Sequence, residues 1–389
     1  MKKIAVLTAA RAEYGLLRPV ILRLLKDKDF DVEVVVTGMH LSPAFGETYK
    51  EIDQDGIPIK KKIEILLSSD TSAGMSKAMG LAMISFADYF AESKPDGLLV
   101  LGDRFETLAV CCAAANAKVP VFHMHGGELT EGAVDDAFRH AITKLSCLHF
   151  TSTEEYRKRV IQMGEDPERV FCTGATGVEN ALNARLLSKA GLSESMGIAL
   201  NKPYAVVTFH PVTLEENTAE KQCRSLIAAM KKHFAFDYIV TKANADANGR
   251  IINRLMEEYA ASADNVYLFD SLGMKKYLSA LKYCEFVMGN SSSGIIEAPS
   301  FHIPTINIGN RQKGRVQAES IINCLSETNS INEAIKKAIS ADFKQKMLKV
   351  CNPYGDGTAS FKIHNILREY FIHNEVNIMK SFYDIDFAL

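Results

Sequence analysis

The chain has 389 residues, enough for two domains of ordinary size. Its composition, 47% hydrophobic and 24% charged, is that of a folded globular protein, and 45 basic residues against 47 acidic residues leave a net charge of -2. This balance argues against a protein that coats nucleic acid or an anionic surface, and no stretch approaches the roughly 18 consecutive apolar residues of a membrane span. We therefore expect neither a nucleic-acid partner nor a membrane partner.

The first half of the chain alternates β-rich runs with helical patterns. Apolar residues recur at helical spacing over 16–25, directly after the first run. Strands are predicted at 4–8, 32–37, 97–101, 119–123 and 148–152. Such alternation predicts a parallel sheet with helices on both faces.

The pattern starts again near residue 204. Strands are predicted at 204–209, 238–241, 266–269, 286–289 and 305–308, with helices between them, for example over 215–232 and 249–262. The polar stretch 187–202 is interpreted as a linker. The predicted fold is therefore α/β, with two Rossmann-like doubly wound domains facing a cleft. The expected domains are 1–185 and 200–357, and 358–389 holds a helix that crosses back to the first domain, followed by a tail.

The eight cysteines contain no C-x-x-C pair, which excludes the zinc-ribbon and thioredoxin-like patterns. Several of them lie among apolar neighbours, as Cys284 does. Reduced, buried thiols are typical of cytoplasmic proteins, so we expect a cytoplasmic location.

Ligands of open parallel sheets bind beyond the carboxyl ends of the strands, and polar clusters follow several predicted strands here. Arg11 follows the first strand and could bind a phosphate or a base, although a solvated turn arginine is the simpler interpretation of this residue alone. Asp103 and Arg104 follow the strand at 97–101. They form either a simple ion pair or an acid/base group beside an anion clamp.

A third cluster follows the strand at 119–123. It consists of His125, two glycines and Glu128, followed by Asp135, Asp136, Arg139 and His140. On a helix over 134–146, Asp135 and Arg139 share one face, as do Asp136 and His140. Surface ion pairs are the simpler interpretation, but crowded carboxylates also suit acid/base chemistry because crowding separates their pKa values. His123 and His125 could also bind a metal, but no third ligand pattern accompanies them.

Two clusters lie in the second half. His210 ends the strand at 204–209 and is either a packing histidine or a site residue. The turn at 289–297 begins a helix with small hydroxyl residues, and its amides and hydroxyls could bind a phosphate while Glu297 binds a ribose diol. A helix cap without a ligand is the alternative. The chain has neither a Walker A motif nor a G-x-G-x-x-G motif.

Together these motifs resemble those of the hydrolysing UDP-N-acetylglucosamine 2-epimerases of bacterial sialic-acid pathways. The motifs are His-Gly-Gly-Glu at 125–128, Asp-Asp-x-x-Arg-His at 135–140, His-Pro-Val-Thr at 210–213 and Gly-Asn-Ser-Ser-x-Gly at 289–294. The resemblance covers nearly the whole chain and implies the glycosyltransferase-B architecture. It also implies a UDP-sugar substrate, a homodimer or homotetramer, and no metal or cofactor. The apolar helical pattern over 78–90 is either an interface or core.

The resemblance also implies roles for residues. The residues that it implies bind the nucleotide are Arg11, Arg104, Asn244, Asp246, Ser291, Ser292, Ser293, Gly294, Glu297 and Arg311. The catalytic set is Asp103, His125, Glu128, Asp135, Asp136, Arg139 and His210. His125 departs from the family, because related enzymes tend to have glutamate there. Either Glu128 does the work of that glutamate or His125 replaces it.

The implied reaction removes the proton at sugar C2, expels UDP from C1 and then adds water, giving N-acetylmannosamine from UDP-N-acetylglucosamine. The alternative substrate is UDP-2,4-diacetamido-2,4,6-trideoxyglucose of legionaminic-acid pathways. A glycosyltransferase and a non-catalytic nucleotide-sugar sensor are the remaining alternatives. Release of UDP and free sugar without an acceptor would exclude both.

Overall fold

The chain divides into two compact units in a computed structural model that describes residues 1–67, 69, 71–130, 134–212, 218–243, 249–373 and 378–386. Unit 1 comprises residues 1–128, 134–180 and 354–389. Unit 2 comprises residues 129–133 and 181–353. Unit 1 is therefore built from chain segments on both sides of unit 2.

Unit 1 contains a sheet of seven parallel strands. They are β1 (Lys2–Thr8), β2 (Phe30–Thr37), β3 (Ile59–Ile63), β4 (Gly97–Leu101), β5 (Val121–Met124), β6 (Leu148–Thr151) and β7 (Val170–Cys172). Their order is β3-β2-β1-β4-β5-β6-β7, so the direction of winding reverses between β1 and β4. Such a reversal opens a crevice at the carboxyl ends of the two strands, where ligands of doubly wound sheets bind.

The helices of unit 1 lie between these strands, except for one that follows β7 and extends past residue 180, where this segment of unit 1 ends. They are α1 (Arg11–Leu24), α2 (Tyr49–Gln54), α3 (Ser72–Ser93), α4 (Phe105–Asn116), α5 (Val134–Leu145), α6 (Glu154–Gln162) and α7 (Thr176–Asn183), with 3-10 turns at Gly38–Leu41, Pro43–Phe45 and Pro167–Arg169. Because every connection joins two parallel strands, each one crosses over a face of the sheet.

Unit 2 repeats the plan with six parallel strands. They are β8 (Tyr204–Thr208), β9 (Asp237–Thr241), β10 (Val266–Phe269), β11 (Phe286–Gly289), β12 (Thr305–Ile308) and β13 (Ile321–Cys324), in the order β10-β9-β8-β11-β12-β13. The reversal lies between β8 and β11. The helices are α8 (Lys189–Met196), α9 (Ala219–Lys232), α10 (Gly249–Ala260), α11 (Gly273–Tyr283), α12 (Ser292–Ile296), α13 (Thr328–Ile339) and α14 (Ala341–Met347), with a 3-10 turn at Ala298–Phe301.

The inner strands of each sheet are buried on both faces, which explains why they are almost continuously apolar. In β1, Ile4 and Val6 belong to one core cluster while Ala5 and Leu7 belong to another, because successive side chains point to opposite faces. The same division separates Val207 from its neighbours in β8.

The last helix, α15 (Ala359–His373), packs in unit 1 although it follows unit 2 in the chain. Ile363, Leu367 and Phe371 join the core cluster beside α1. The start of α15 is fixed because Ser360 donates two hydrogen bonds to the buried Glu179 carboxylate, from its backbone N at 2.6 Å and its Oγ at 2.5 Å.

These observations confirm the predicted α/β class with two parallel sheets. The ten predicted strands are present, with ends that differ by at most two residues. Three further strands, β3, β7 and β13, were not predicted. The stretch interpreted as a linker holds α8, whose Leu192 is fully buried in unit 2, so that interpretation is wrong for 189–196.

Helix α3 combines core and exposed apolar residues. Phe86 and Phe90 are buried in unit 1, whereas Leu81 and Ile84 are exposed. Within the part of the chain that the structure describes, none of the helices has the length and apolar character that crossing a bilayer requires.

Replacing Leu367 by alanine tests the contribution of α15 to unit 1. Its side chain is fully buried, so we expect the Leu367→Ala variant to lose about 2–5 kcal/mol of unfolding free energy, measured by denaturant unfolding. The exposed Glu369 of the same helix provides a matched control, since Glu369→Ala should stay within about 0.5 kcal/mol of the parent chain. Equal losses in both variants would contradict the assignment of α15 to the core.

Candidate active site

The carboxyl end of β1 is fixed by buried polar contacts. Thr8 Oγ1 lies 2.9 Å from His40 Nε2, and Glu13 Oε2 accepts hydrogen bonds from the backbone N of Ala9 and of Ala10 at 2.7 and 3.1 Å. Burial lowers the pKa of His40 to about 4, so the ring is neutral at pH 7. The turn between β1 and α1 therefore has a defined shape.

Arg104 is held beside this turn by two glutamates. Its Nε and Nη2 donate to the two carboxylate oxygens of Glu106 at 3.1 and 2.7 Å, and its Nε lies 3.9 Å from Glu13 Oε1. Burial raises the pKa of Glu13 to about 7, although the neighbouring Arg104 charge opposes the rise. Arg11 lies on the exposed start of α1, with its Nη1 3.8 Å from Glu51.

Arg139 gathers the acidic residues of unit 1. Its guanidinium is 4% exposed and contacts Asp103, donates to Asp136 Oδ1 at 3.1 Å and donates to the Glu128 carbonyl oxygen at 2.7 Å. Arg139 therefore pairs with Asp136 on this helix, and its charge also acts on Asp135, where it favours the ionised carboxylate. Burial and the Asp103 charge raise the pKa of the Asp135 carboxyl group.

The His-Gly-Gly-Glu segment forms a tight turn after β5. His125 has a φ of +66°, and its Nδ1 lies 3.1 Å from Glu128 Oε1. Gly127 has a φ of +78°, and a Cβ atom there would lie 2.4 Å from the Tyr156 carbonyl oxygen, so only glycine fits. Ser152 Oγ, after β6, donates to the same Glu128 Oε1 at 2.9 Å.

His123 supports the neighbouring turn. Its Nε2 lies 2.8 Å from the Gly102 carbonyl oxygen and its Nδ1 lies 3.2 Å from Thr143 Oγ1, so both ring nitrogens have partners. Burial lowers the pKa of His123 to about 3, and the ring is neutral. Among the residues that the structure describes, no three His, Cys, Asp or Glu side chains form a group that could hold a metal ion.

In unit 2 the central group is the Asn290 side chain, which is 1% exposed. Its Oδ1 accepts from the His210 backbone N at 2.7 Å and its Nδ2 donates to the His210 carbonyl oxygen at 2.8 Å, so the ends of β8 and β11 are joined. Arg311 Nη1 and Gln312 Nε2 donate to the Asn290 carbonyl oxygen at 3.1 and 2.8 Å. Burial and the Arg311 charge lower the pKa of His210 to about 3.

The hydroxyl-rich turn follows directly. Gly289 has a φ of +135° and a Cβ atom there would lie 2.0 Å from the Thr208 carbonyl oxygen, so the chain turns where only glycine can. Ser291 caps α12, with its Oγ 3.4 Å from the Ser293 backbone N. Ser292, Ser293 and Gly294 form the first turn of α12, and Glu297 ends it.

The structure thus brings together Asp103, His125, Glu128, Asp135, Asp136 and Arg139 in unit 1, and His210, Ser291, Ser292, Ser293, Gly294, Glu297 and Arg311 in unit 2. Arg11 and Arg104 lie at the ends of β1 and β4. Asn244 and Asp246 lie outside the described residues, as does Thr213.

Sequence reasoning missed several supporting residues. Glu13 lies two residues after Arg11, and Asn290 lies in the predicted turn at 289–297. Their carboxylate and amide groups are typical of residues that stabilise turns. Ser152 had no such signal, because its contact with Glu128 depends on β6 lying beside β5. Tyr277 of α11 lies beside Ser293 and Glu297, and burial raises the pKa of its hydroxyl to about 12.

The sequence and the fold of this chain are similar to those of known proteins. A family model described as UDP-N-acetylglucosamine 2-epimerase matches residues 23–368. The chain is 43% identical over 345 residues to the Campylobacter jejuni GDP/UDP-N,N'-diacetylbacillosamine 2-epimerase (hydrolyzing), covering 88% of this chain and 89% of that one. It is 39% identical over 387 residues to the Escherichia coli polysialic acid biosynthesis protein P7, covering 99% and 98%. In fold it resembles the Neisseria meningitidis UDP-GlcNAc 2-epimerase solved with UDP-GlcNAc, with a TM-score of 0.72, 22% identity, and coverage of 95% and 100%.

The neutral state of His123 predicts a pH dependence of stability. The ordinary histidine pKa of 6.5 applies to the unfolded chain and about 3 to the folded chain, so between these values the unfolded chain binds a proton that the folded chain does not. Stability therefore falls as pH falls, by about 2 kcal/mol for this residue between pH 7 and pH 5. The His123→Gln variant, which cannot titrate, should lose about that much less in denaturant unfolding over the same interval. A variant with the pH dependence of the parent chain would contradict this.

Proposed function

Since this chain belongs to the UDP-N-acetylglucosamine 2-epimerase family and is a hydrolysing UDP-sugar 2-epimerase, we propose that it converts UDP-N-acetylglucosamine and water to N-acetylmannosamine and UDP. The observation that carries this proposal is the gathering of Asp103, Asp136 and the His125–Glu128 pair around one buried arginine in unit 1. The Escherichia coli relative, which aligns over 99% of the chain and is named for polysialic acid biosynthesis, supports this sugar.

A second substrate is favoured by a different observation. The Campylobacter jejuni relative, at 43% identity, is named for N,N'-diacetylbacillosamine, which is a 2,4-diacetamido-2,4,6-trideoxyglucose. Both nucleotide sugars carry a hydrogen and an acetamido group at C2 and a diphosphate at C1. The same acid/base groups can therefore act on either sugar, and selection depends on contacts at C4 and C6.

The residues of unit 2 are proposed to hold the nucleotide. The Ser291–Ser293 hydroxyls and the backbone N–H groups of their turn suit a diphosphate, Arg311 adds positive charge, and Glu297 can accept from a ribose diol. Because the pKa of His210 is about 3, this ring is neutral at pH 7. We propose that His210 donates a hydrogen bond to the leaving phosphate rather than a proton.

The residues of unit 1 are proposed to act on the hexosamine. Elimination moves the C2 proton to a base, forms the C1=C2 double bond and releases UDP with the electrons of the C1–O bond. Water then adds its hydroxyl group to C1, and a proton returns to C2 with inverted configuration. Asp103 and Asp135 or Asp136 can stabilise positive charge at C1 or carry protons, while Arg139 fixes their geometry. Arg11 and Arg104 are proposed to bind the nucleotide.

Both substrates can be tested side by side in D₂O without any acceptor. We expect stoichiometric release of UDP and of a free 2-epimerised sugar that carries deuterium at C2, because the C2 proton is exchanged during elimination. Mass spectrometry and proton NMR of the products report the label, and the ratio of kcat/KM values identifies the preferred sugar. Release of an unlabelled sugar would contradict elimination, and no UDP release from either nucleotide sugar would overturn the proposed function.

Substitution of Ser292 tests nucleotide binding by unit 2. Loss of one hydroxyl from the phosphate contacts should raise KM about tenfold or more in Ser292→Ala, with a smaller change in kcat, because a hydrogen bond to a charged group contributes about 1.5 kcal/mol or more. Ser262, exposed just after α10 in the same unit, is the matched control, and Ser262→Ala should leave KM unchanged. An unchanged KM in Ser292→Ala would remove this residue from the nucleotide site.

A further inference from the structure

We propose that the His125 imidazole is the base that removes the proton from sugar C2, and that Glu128 and Ser152 are positioning residues that act through it. This inference rests on the proposed function and assigns one of its steps to a particular atom, Nε2 of His125. It answers which of the two residues in the His-Gly-Gly-Glu turn meets the substrate.

The backbone holds His125 in an unusual conformation. Its φ of +66° is uncommon for a residue with a side chain, and its backbone N donates to the Phe150 carbonyl oxygen at 2.9 Å. The following Gly126 packs against His123 and Thr143, where a Cβ atom would approach both to 3.1 Å. A residue other than glycine that the surrounding structure holds at a positive φ is typical of functional sites.

The hydrogen bonds fix the proton on one ring nitrogen. Glu128 Oε1 lies 3.1 Å from His125 Nδ1 and accepts the Ser152 hydroxyl at 2.9 Å. Because a carboxylate can only accept, Nδ1 of His125 carries the hydrogen, and in the neutral ring this leaves the lone pair on Nε2. This is the tautomer that a general base requires.

Nε2 of His125 has no hydrogen-bond partner among the residues that the structure describes. The His125 residue is only 8% exposed, so bulk water does not readily replace such a partner. A buried polar atom without a partner is unusual in a folded protein, and a bound substrate would provide one. By contrast, the Glu128 carboxylate is behind the ring, 3% exposed and engaged through Oε1 by two donors.

The proposed step is balanced. Nε2 of neutral His125 forms a bond to the C2 proton, the electrons of the C2–H bond form the C1=C2 bond, and the electrons of the C1–O bond leave with UDP. The imidazolium that results is stabilised by the Glu128 carboxylate through the Nδ1–H hydrogen bond. The titratable groups nearest this ring are Glu128, which it contacts, and the neutral His123 of β5. Two cations bind the backbone of the same turn, since Arg139 of α5 donates to the Glu128 carbonyl oxygen and Arg159 of α6 donates to the Gly127 carbonyl oxygen, and Asp136 pairs with Arg139.

Unit 1 contains a second buried pair that serves as a matched control. His149 Nε2 lies 3.0 Å from Glu165 Oε2, and its Nδ1 likewise has no partner within the described residues. This ring, however, lies inside β6 rather than beyond a strand end, and Lys144 and Lys380 also bind its glutamate. The two pairs therefore share their chemistry but not their position in the fold.

The experiment compares the pH profiles of kcat and kcat/KM for the parent enzyme and for the His125→Gln, Glu128→Gln, Ser152→Ala and His149→Gln variants. We expect His125→Gln to lose about 10²-fold or more in kcat with little change in KM, and to lose the acidic limb of the kcat/KM profile. Deuterium exchange at C2 should fall in parallel. Glu128→Gln should keep the ring contact without its charge, and its acidic limb should move to lower pH by about one unit. The His149→Gln profile should match that of the parent enzyme.

The outcomes separate this inference from the function on which it rests. If the parent enzyme releases UDP and labelled sugar while His125→Gln keeps both its turnover and its acidic limb, the assignment of His125 is wrong and the function stands. If His125→Gln does not fold, Glu128→Gln decides, since an acidic limb that stays at the parent position would overturn the assignment. Failure of the parent enzyme on both sugars would instead remove the function itself.

Discussion

One buried cation, the Arg139 guanidinium, holds the acidic residues of unit 1 in place. Asp103 reaches it from the end of β4, Asp136 from one turn earlier on α5, and the Glu128 carbonyl oxygen from the turn after β5. Without this charge the half-buried carboxylates of Asp103 and Asp136 would repel one another. Arg139 therefore allows several acids to share one region, and the order of the strands decides which acids these are.

In unit 2 the neutral side chain of Asn290, rather than a charged one, holds the strand ends together. Asn290 offers one acceptor and two donors, and it uses both kinds on the backbone of His210 while its own carbonyl oxygen receives Arg311 and Gln312. The ends of β8 and β11 are thus joined without placing a negative charge near the proposed diphosphate. The contrast between the units follows from their proposed tasks: one must carry protons, and the other must attract an anion.

Much of this architecture could be predicted from the chain alone, because it depends on local patterns. Continuous apolar runs identified the strands that are buried on both faces, and the rule that ligands bind beyond carboxyl ends selected the clusters that the structure brings together. β3 escaped prediction because three lysines occupy its centre, where it lies at the sheet edge, and β7 is only three residues long. The contact of Ser152 with Glu128 also could not be predicted, since it arises from the pairing of β5 with β6 and not from spacing along the chain.

The crossing of α15 into unit 1 has a consequence for synthesis. Residues that complete the core beside α1 are translated only after all of unit 2 has been translated. The apolar face that packs against Ile363, Leu367 and Phe371 therefore stays uncovered until α15 has been translated. Unit 2 is almost continuous in the chain, so all of its segments are present by then. Unit 1, although its first strands are translated first, therefore completes its core after unit 2. A chain whose translation ends early has a first sheet with an uncovered apolar face. Such chains are natural clients for chaperones.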